Sequence, residues 1–330
     1  MNADAPMVSL MEEEYYLDDT GELIHFEDHQ RRILNEVFTP NEEGKIGYET
    51  VVWSTPKKEG KTGVAGAVGY GFSRVFGGNA FSIANDKEQA GERMFDRVVS
   101  NLRHMKNKNP ALFEMVVQED YQDRITKNNM IEFNKIDQIN PGPHWLKFVA
   151  ADYAGEAGGR PTMTCFDELW AYKGDRMARL WDEFQPLSIM PVSLRFITTY
   201  AGWYGESELL WSIYDTVVKP DDYNPLEKHG TKVPGLEDLP VYQYGDKYVS
   251  GSYLVYWDHE NRMPWKSKEY LEGRRKDPAV KGREAEYRRL WKNEWTTGMD
   301  AFLSPELVDE LMAIGEEHGL VNHMADWDYN

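Results

Sequence analysis

The chain has a single cysteine, Cys165, among its 330 residues, and it has no run of about 18 apolar residues. A lone cysteine excludes a disulfide framework and a zinc site made of cysteines, and it fits a reducing compartment. The lack of a long apolar run argues against a transmembrane helix, and the first residues show neither the basic nor the apolar region of a signal peptide. We therefore expect a cytoplasmic protein without a membrane partner.

Basic residues are outnumbered as well, since 37 Lys and Arg stand against 56 Asp and Glu, which gives a formal net charge of −19. Such a balance argues against a protein that coats nucleic acid, although charge acts locally. The acidic excess is concentrated in residues 1–50, which hold 13 acidic and 3 basic side chains. Residues 97–109 and 266–292 are basic instead. Each basic stretch fits either a solvated helix face or a contact with nucleic acid.

The segment Ser54-Thr-Pro-Lys-Lys-Glu-Gly-Lys-Thr62 has the pattern of a phosphate-binding loop. It follows a β-like run at 49–54 and precedes a helix of small residues, which is the context that such a loop needs. Backbone N–H groups of the turn and of the helix N-terminus point at one place and bind phosphate oxygens there. Lys61 is then predicted to reach the β- and γ-phosphates, and Thr62 to bind Mg²⁺.

This segment departs from the full pattern at one position. Thr55 stands where the pattern has a glycine, five residues before Gly60. Taken alone, Gly-Lys-Thr fits a plain turn before a helix equally well. The choice between the two interpretations depends on a second motif further along the chain.

That second motif is a pair of acids, Asp167 and Glu168, after a short apolar run at 162–166. Such a run is typical of a strand buried on both faces. Ligands of open parallel sheets lie beyond the carboxyl ends of the strands, so both acids are expected at the phosphate site. Asp167 is predicted to hold Mg²⁺, often through water, and Glu168 to polarise the water that attacks the γ-phosphate of ATP. The alternative is a carboxylate pair that caps a helix.

Three further side chains are predicted near the nucleotide. Thr198 and Thr199 end a strand-like run, and their hydroxyls can sense a γ-phosphate or order the attacking water. A Thr-Thr pair equally suits a plain strand before a turn. Gln30 lies on an amphipathic helix at 26–38, and its amide can read an adenine edge, unless it is simply a surface glutamine.

The patterns divide the chain into four parts. Residues 1–24 are acidic and aperiodic, and we expect a loosely held lead-in. Residues 25–219 alternate strands and helices, as in an α/β domain with a mostly parallel sheet. From 220 to 300 prolines, glycines and aromatic residues become dense, which predicts a small α+β subdomain. Residues 301–330 are interpreted as a linker.

Together these residues resemble the ATPase half of a phage terminase large subunit, the motor that packages double-stranded DNA into procapsids. The resemblance covers roughly residues 25–300. It implies a P-loop fold of the ASCE type, with a sheet flanked by helices and a small lid subdomain. It rests on the helix with Gln30, the loop at 56–62, the segment at 84–90, the strand Cys165-Phe-Asp-Glu168, the segment Thr198-Thr-Tyr-Ala-Gly202 and the ending Asn293-Glu-Trp295.

The resemblance also implies roles for individual residues. A basic residue shortly before Gly-Lys-Thr usually contacts the γ-phosphate in such loops, and Lys57 or Lys58 has that place. Ring-forming relatives supply an arginine finger from a neighbouring subunit, and Arg160 is the candidate for it here. The loop is expected to wrap the nucleotide through Pro56, Lys58, Glu59, Gly60, Lys61 and Thr62.

The function that the resemblance implies is a Mg²⁺-dependent ATPase that packages double-stranded DNA. Its expected partners are duplex DNA, further copies of itself in a homo-oligomeric ring on a portal protein, and a terminase small subunit, all in the host cytoplasm. Terminase large subunits normally continue into a nuclease domain with two metals. The residues after 300 are too few for such a fold, so nuclease activity is not expected from this chain.

Two other functions stay open from the sequence. One is a stand-alone ATPase or helicase-like remodeller that acts on single-stranded nucleic acid or on protein, with the aromatic residues of 220–300 stacking on bases. The other is a packaging adaptor whose loop holds nucleotide only structurally.

Overall fold

The computed structural model describes residues 4–84, 94–117, 122, 125, 129–134, 139–150, 160–218, 233, 236, 239–276, 283–297, 311, 313 and 314. The helix start predicted at 85–89, most of a glycine-rich loop at 154–161, and residues 124 and 126–128 of a hairpin predicted at 124–134 lie outside these residues. In the part of the chain that is described, no helix has the length and hydropathy needed to cross a membrane.

One mixed sheet forms the centre of the molecule. Its order is β3-β4-β2-β5-β6-β1-β9-β8-β7, and the six strands from β4 to β9 in this order run parallel, while the strands at both edges are antiparallel. This confirms the predicted α/β fold with a mostly parallel sheet. The strands are β1 Thr50–Ser54, β2 Asn79–Ala84, β3 Met130–Glu132, β4 Trp145–Ala150, β5 Pro161–Asp167, β6 Leu194–Thr199, β7 Tyr242–Tyr244, β8 Lys247–Ser250 and β9 Tyr253–Trp257.

Helices cover both faces of this sheet. The helix predicted at 26–38 is Asp28–Phe38, and the helix Glu208–Ile213 has a π-helical continuation at Tyr214–Val218. The helices are α1 Pro6–Glu14, α2 Asp28–Phe38, α3 Lys61–Val75, α4 Met94–Lys108, α5 Pro110–Val116, α6 Asp175–Glu183, α7 Glu208–Ile213, α8 Lys268–Lys276 and α9 Glu284–Lys292, with a 3₁₀ turn at Leu169–Ala171.

The core has two layers because successive residues of a buried strand point to opposite faces. In β1, Val51 and Trp53 pack on the side of α1 to α4, and Val52 packs on the side of α6 and α7. All five residues of β1 are buried. The loop that follows β1 is therefore held by a strand that is packed from both sides.

The strand order brings the two predicted motifs to neighbouring positions. β6 pairs with β1 through Trp53 and Thr198, and with β5 through Asp167 and Thr198. Adjacent strands lie about 4.8 Å apart, so the carboxyl ends of β1 and β5 are about 10 Å apart. The phosphate-loop motif and the acid pair thus share one edge of the sheet.

The predicted lid segment contributes directly to this sheet. Strands β7, β8 and β9 fall within 220–300, and β9 pairs with β1 in parallel. Helices α8 and α9 follow them in the chain. The boundaries of the four predicted parts stay predictions.

The expectation that residues 1–24 are loosely held is wrong for residues 4–24. Helix α1 buries Met7, Val8 and Met11 completely, and Tyr15 follows them into the core. The reason lies in α3, whose glycines let α1 approach closely. A Cβ atom on Gly66 would lie 2.1 Å from the Tyr15 hydroxyl oxygen.

Acidic residues of the same segment pair with α4, whose basic end the sequence predicts to be exposed. Arg97 forms an ion pair with Asp18, and Lys108 lies 2.9 Å from Glu22. Two of the basic side chains of α4 are therefore neutralised within the chain.

We predict that Gly66→Ala lowers the free energy of unfolding by about 2 kcal/mol, since the added methyl group displaces Tyr15 and α1. Gly63→Ala is the matched control on the same helix. The nearest side-chain atom to its new Cβ is 3.7 Å away, so the gain in helix propensity should leave stability equal or slightly higher. Urea unfolding measures both variants. Equal midpoints for Gly66→Ala and the parent protein would contradict the tight packing of α1 on α3.

Candidate active site

The loop after β1 closes around the ammonium group of Lys61. Lys61 Nζ donates hydrogen bonds to the backbone carbonyls of Thr55, at 2.8 Å, and Pro56, at 2.9 Å. Gly60, directly before α3, has a φ of 76°, in the left-handed region that glycine adopts without strain. The loop therefore presents the first N–H groups of α3, together with Lys61, at one place.

Thr55, the departure from the full motif, fits this loop without a glycine. Within the loop the positive φ angles belong to Lys58, at 68°, and Gly60. Thr55 N donates to Thr199 O at 3.3 Å, which continues the pairing of β1 with β6. Its side chain is buried, so the position is held by packing and pairing.

A segment after β9, residues 258–266, supports the loop from outside; we call it the strap. Trp265 Nε1 donates to Lys58 O at 3.0 Å, and Arg262 N donates to Glu59 Oε2 at 3.3 Å. Lys266 Nζ lies 2.7 Å from Glu59 Oε1. Residues about two hundred positions further along the chain thus fix the shape of the loop after β1.

The negative charge of Glu59 is neutralised by an ion pair with the strap. Glu59 is buried, and an unpaired carboxylate in this loop would repel phosphate. The ion pair with Lys266, whose side chain is fully buried, cancels that charge. Sequence analysis places Glu59 among the nucleotide contacts, whereas its carboxylate is paired with the strap.

Gln30 lies beside the loop, and part of its side-chain amide is already hydrogen-bonded at the start of α2. It is buried at the third position of α2, and its Oε1 accepts from Glu27 N at 3.2 Å in a capping box. A Cβ on Gly60 would lie 3.9 Å from Gln30 Nε2. The amide nitrogen therefore borders the loop, while the amide oxygen stabilises the start of α2.

The acid pair is held by the neighbouring strand. Asp167 Oδ1 accepts from Thr198 Oγ1 at 2.7 Å, and Glu168 N donates to Thr198 O at 2.7 Å. Glu168 has a φ of 57°, a left-handed conformation that is rare for residues with a side chain. Its Oε2 accepts from Trp170 Nε1 at 2.6 Å. Rare backbone conformations concentrate at functional sites, so the conformation of Glu168 is of the kind found for functional residues.

The two threonines of β6 use their hydroxyl protons within the protein. Thr198 donates to Asp167, and Thr199 Oγ1 donates to Tyr200 O at 3.0 Å. Thr199 Oγ1 also lies 3.4 Å from Trp170 N, which can donate to it. Both threonines are fully buried, so in this structure they position the acid pair and the turn after it.

Asn293 joins the carboxyl ends of three parallel strands, a role that sequence analysis missed. Its Oδ1 accepts from Ser54 Oγ at 3.1 Å and from Ala201 N at 2.7 Å, and its Nδ2 donates to Asp258 O at 3.0 Å. It follows α9 with a φ of 52°. An asparagine directly after a helix is typical of this left-handed ending, and that is the signal in the sequence that points to it.

The remaining predicted residues lie as follows. Thr62 is half-buried in the first turn of α3, and Lys57 and Lys58 are exposed in the loop, with Lys57 N donating to Leu290 O at 2.6 Å. Arg160 is exposed directly before β5. Asp167 ends this seven-residue strand, so Arg160 lies about 20 Å from the acid pair of its own chain.

Burial lowers the pKa of Lys61 to about 8, and the charges of Glu168 and Asp167 oppose that shift. Lys266 lowers the pKa further, while Glu59 raises it. Because the pKa of Lys61 responds to both acids, the loop and the acid pair are close enough to interact electrostatically. An anion at the loop would add to the same stabilisation of the charged form.

Asp167 and Thr62 suit part of a Mg²⁺ site. This ion usually takes one or two carboxylates and completes its shell with phosphate and water oxygens. In the described part of the chain no group of three or more His, Cys, Asp or Glu side chains could hold a metal ion by itself. The donor set therefore fits an ion that protein and nucleotide hold jointly.

Comparison with known proteins supports the fold. No family model and no curated protein matches the chain. Among solved structures it is similar to the bacteriophage HK97 large terminase, with a TM-score of 0.58 and 15% identity over 89% of this chain and 56% of that one. It also matches the ATPase domain of a Thermus phage large terminase, with a TM-score of 0.43 and 14% identity over 82% of this chain and 99% of that one.

The HK97 match shows a common fold, which confirms at the level of fold the resemblance to terminase large subunits. The chain shares the fold of the HK97 large terminase and spans little more than half of that protein, at 56%.

We predict that the affinity for ATP falls about tenfold from about pH 7.5 to about pH 9. The reason is the pKa of about 8 for Lys61, because the lysine binds phosphate only when it is charged. Isothermal titration calorimetry at constant ionic strength measures the profile. Lys61→Arg is the matched control, since arginine stays charged over this range and its profile should be flat. An equally steep fall in Lys61→Arg would contradict the assignment of the titration to Lys61.

Proposed function

We propose that the chain is an Mg²⁺-dependent ATPase that drives the translocation of double-stranded DNA during packaging of a phage genome. The observation that supports this most is the strand order. β6 lies between β1 and β5, so Lys61 and the acids Asp167 and Glu168 meet at one edge of the sheet. A phosphate-binding loop beside an acid pair is the arrangement that nucleoside triphosphate hydrolysis requires.

Lys61 and the first N–H groups of α3 bind the β- and γ-phosphates in this proposal. The carbonyls of Thr55 and Pro56 hold the ammonium group in place, and an ammonium group has a further N–H donor for a phosphate oxygen. Lys57 or Lys58, exposed in the loop, adds a second positive charge near the γ-phosphate. Gln30 borders the loop and is the proposed contact for the base.

Asp167 and Thr62 would hold the Mg²⁺ ion. When bound, the ion would supply positive charge beside the phosphate oxygens. Thr198 fixes the carboxylate of Asp167 through its hydrogen bond, so the acid is already oriented. Preorganisation of this kind lowers the cost of reaching the reactive geometry.

Glu168 orients the attacking water and accepts its proton. Its backbone is held by Thr198 and its carboxylate by the indole of Trp170. A positioned carboxylate that removes a proton in the transition state contributes about a hundredfold or more to the rate.

The DNA-translocating role is proposed from the resemblance to terminase large subunits and is supported by the fold that the chain shares with the HK97 large terminase. A motor that accepts any sequence contacts phosphates and not base edges, so binding should weaken steeply with salt. The proposed partners are duplex DNA, a homo-oligomeric ring seated on a portal protein, and a terminase small subunit, in the cytoplasm of the host.

We expect Glu168→Gln to reduce ATP turnover about a hundredfold or more while ATP binding is kept, because only the proton acceptor is lost. Glu208→Gln is the control, since Glu208 is exposed in the first turn of α7, and its turnover should equal that of the parent. Phosphate release is measured with and without long duplex DNA. Equal turnover in parent and Glu168→Gln would remove Glu168 from the mechanism.

The same assay separates the motor from a remodeller of single strands. Duplex DNA should stimulate turnover more than single-stranded DNA of equal length, and the stimulation should fall as salt rises. A stronger effect of single strands would instead favour a helicase-like function, with stacking by the aromatic residues of 220–300.

Arg160 is proposed to act in a neighbouring subunit, because it lies at the far end of β5 from its own acid pair. We therefore expect Arg160→Ala and Glu168→Gln to be inactive separately and to regain part of the activity when mixed. In a mixed ring, an Arg160→Ala subunit has an intact Glu168, and its Glu168→Gln neighbour supplies the arginine. Turnover of the mixture that equals the average of the separate proteins would rule out this role.

A further inference from the structure

A second buried cation lies close to the acid pair, in a position that the proposed chemistry does not use. Arg289 is on α9 and is only 3% exposed. Its Cζ lies 4.3 Å from the ring centroid of Trp170, 4.4 Å from that of Trp203 and 5.0 Å from that of Tyr200. We call these three side chains the aromatic cage.

The hydrogen bonds of Arg289 account for only part of its guanidinium group. Its Nη2 lies 3.2 Å and 3.3 Å from the two carboxylate oxygens of Glu286. Its Nε and Nη1 are buried and meet no acceptor in good hydrogen-bond geometry among the described residues, although the Tyr200 side chain is close enough to interact with the guanidinium group. Burying charged donors without acceptors is unfavourable unless other interactions compensate. The faces of the cage provide that compensation through cation–π attraction.

The other side of the cage contacts the proposed hydrolysis site. Trp170 and Tyr200 are stacked, with ring centroids 5.6 Å apart and planes inclined by 28°. The indole of Trp170 donates to Glu168, and Lys61 Nζ lies 5.1 Å from the centroid of Tyr200. One pair of stacked rings therefore contacts Arg289 and also the side chains of Glu168 and Lys61.

The electrostatics of Tyr200 agree with this arrangement. Burial and the charge of Glu168 raise the pKa of Tyr200, and the positive charge of Arg289 opposes the rise. The pKa of Tyr200 therefore responds both to the charge of Glu168 and to the charge of Arg289 on α9.

We propose that Arg289 is a positioning residue for hydrolysis, which holds the Trp170–Tyr200 stack so that the indole of Trp170 orients the Glu168 carboxylate. This inference rests on the proposed ATPase function and deepens it. Turnover then depends on how α9 is seated, because a shift of α9 removes the cation that fixes the stack. We expect nucleotide binding to depend little on the Arg289 side chain itself, since the loop is supported by the strap and by the backbone of Leu290, and neither support uses that side chain.

The test compares Arg289→Ala and Arg289→Lys with the parent. We expect Arg289→Ala to lower kcat about tenfold or more, while KM and the ATP dissociation constant change less than about threefold. Arg289→Lys should recover part of kcat because it keeps a cation in the cage. Arg288→Ala is the control on the same helix, since Arg288 is partly exposed and pairs with Glu294, 2.7 Å away. Its kcat should not change.

A double-mutant cycle with Trp170→Phe separates positioning from simple packing. Phenylalanine keeps a ring in the stack but removes the indole N–H that holds Glu168. If Arg289 acts through Trp170, the double variant Trp170→Phe with Arg289→Ala should have a kcat no lower than the worse single variant. Additive losses in kcat would overturn the proposal, as would an unchanged kcat in Arg289→Ala.

Parent protein and Glu168→Gln, measured together with these variants, distinguish the two levels of failure. Turnover that depends on Glu168 but is indifferent to Arg289 overturns the positioning role alone. Absence of turnover that depends on Glu168 overturns the ATPase function and the role of Arg289 with it. If Arg289→Ala does not fold, as judged by thermal unfolding, the comparison of Arg289→Lys with Trp170→Phe in the same cycle decides the question.

Discussion

Burial of one ammonium group is the constraint on which the site depends. Lys61 is taken out of water, which is unfavourable for a charge unless other groups replace the lost hydration. The carbonyls of Thr55 and Pro56 replace part of it, and the charges of Asp167 and Glu168 stabilise the charged form. The charged form of Lys61 therefore depends both on the shape of the loop and on the position of the acid pair.

The sheet meets these requirements by placing β6 between the two motifs. Thr198 bonds to Asp167 through its side chain and to Glu168 through its backbone, so a single residue orients both acids. Asn293 then links the ends of β1, β6 and β9 to the end of α9. The position of α9 is consequently coupled to the edge of the sheet where the phosphates are proposed to bind.

The N-terminal segment shows why a pattern can mislead. The acidic residues of this segment predict exposure to solvent. Helix α1 is nevertheless packed on α3, because the glycines of α3 allow a close approach and a few apolar side chains of α1 are buried there. The acids then find partners in tertiary contacts, such as Asp18 with Arg97. The local sequence of one segment does not show which other segment will pack against it or which charges that other segment carries. The same holds for Glu59, whose charge in the loop is compensated by Lys266 in the strap.

Local sequence patterns were enough to predict the strands and helices with clear periodicity, the loop before α3 and the acid pair at the end of β5. These features depend on residues that are close along the chain, where apolar spacing and turn chemistry act directly. Only the tertiary structure decided how the loop is held, since Trp265 bonds to a residue 207 positions away and Asn293 to one 239 positions away. It also decided that Tyr200, Trp170 and Arg289 form one cluster. Such contacts depend on the order in which strands pair, and that order is not encoded in any local pattern.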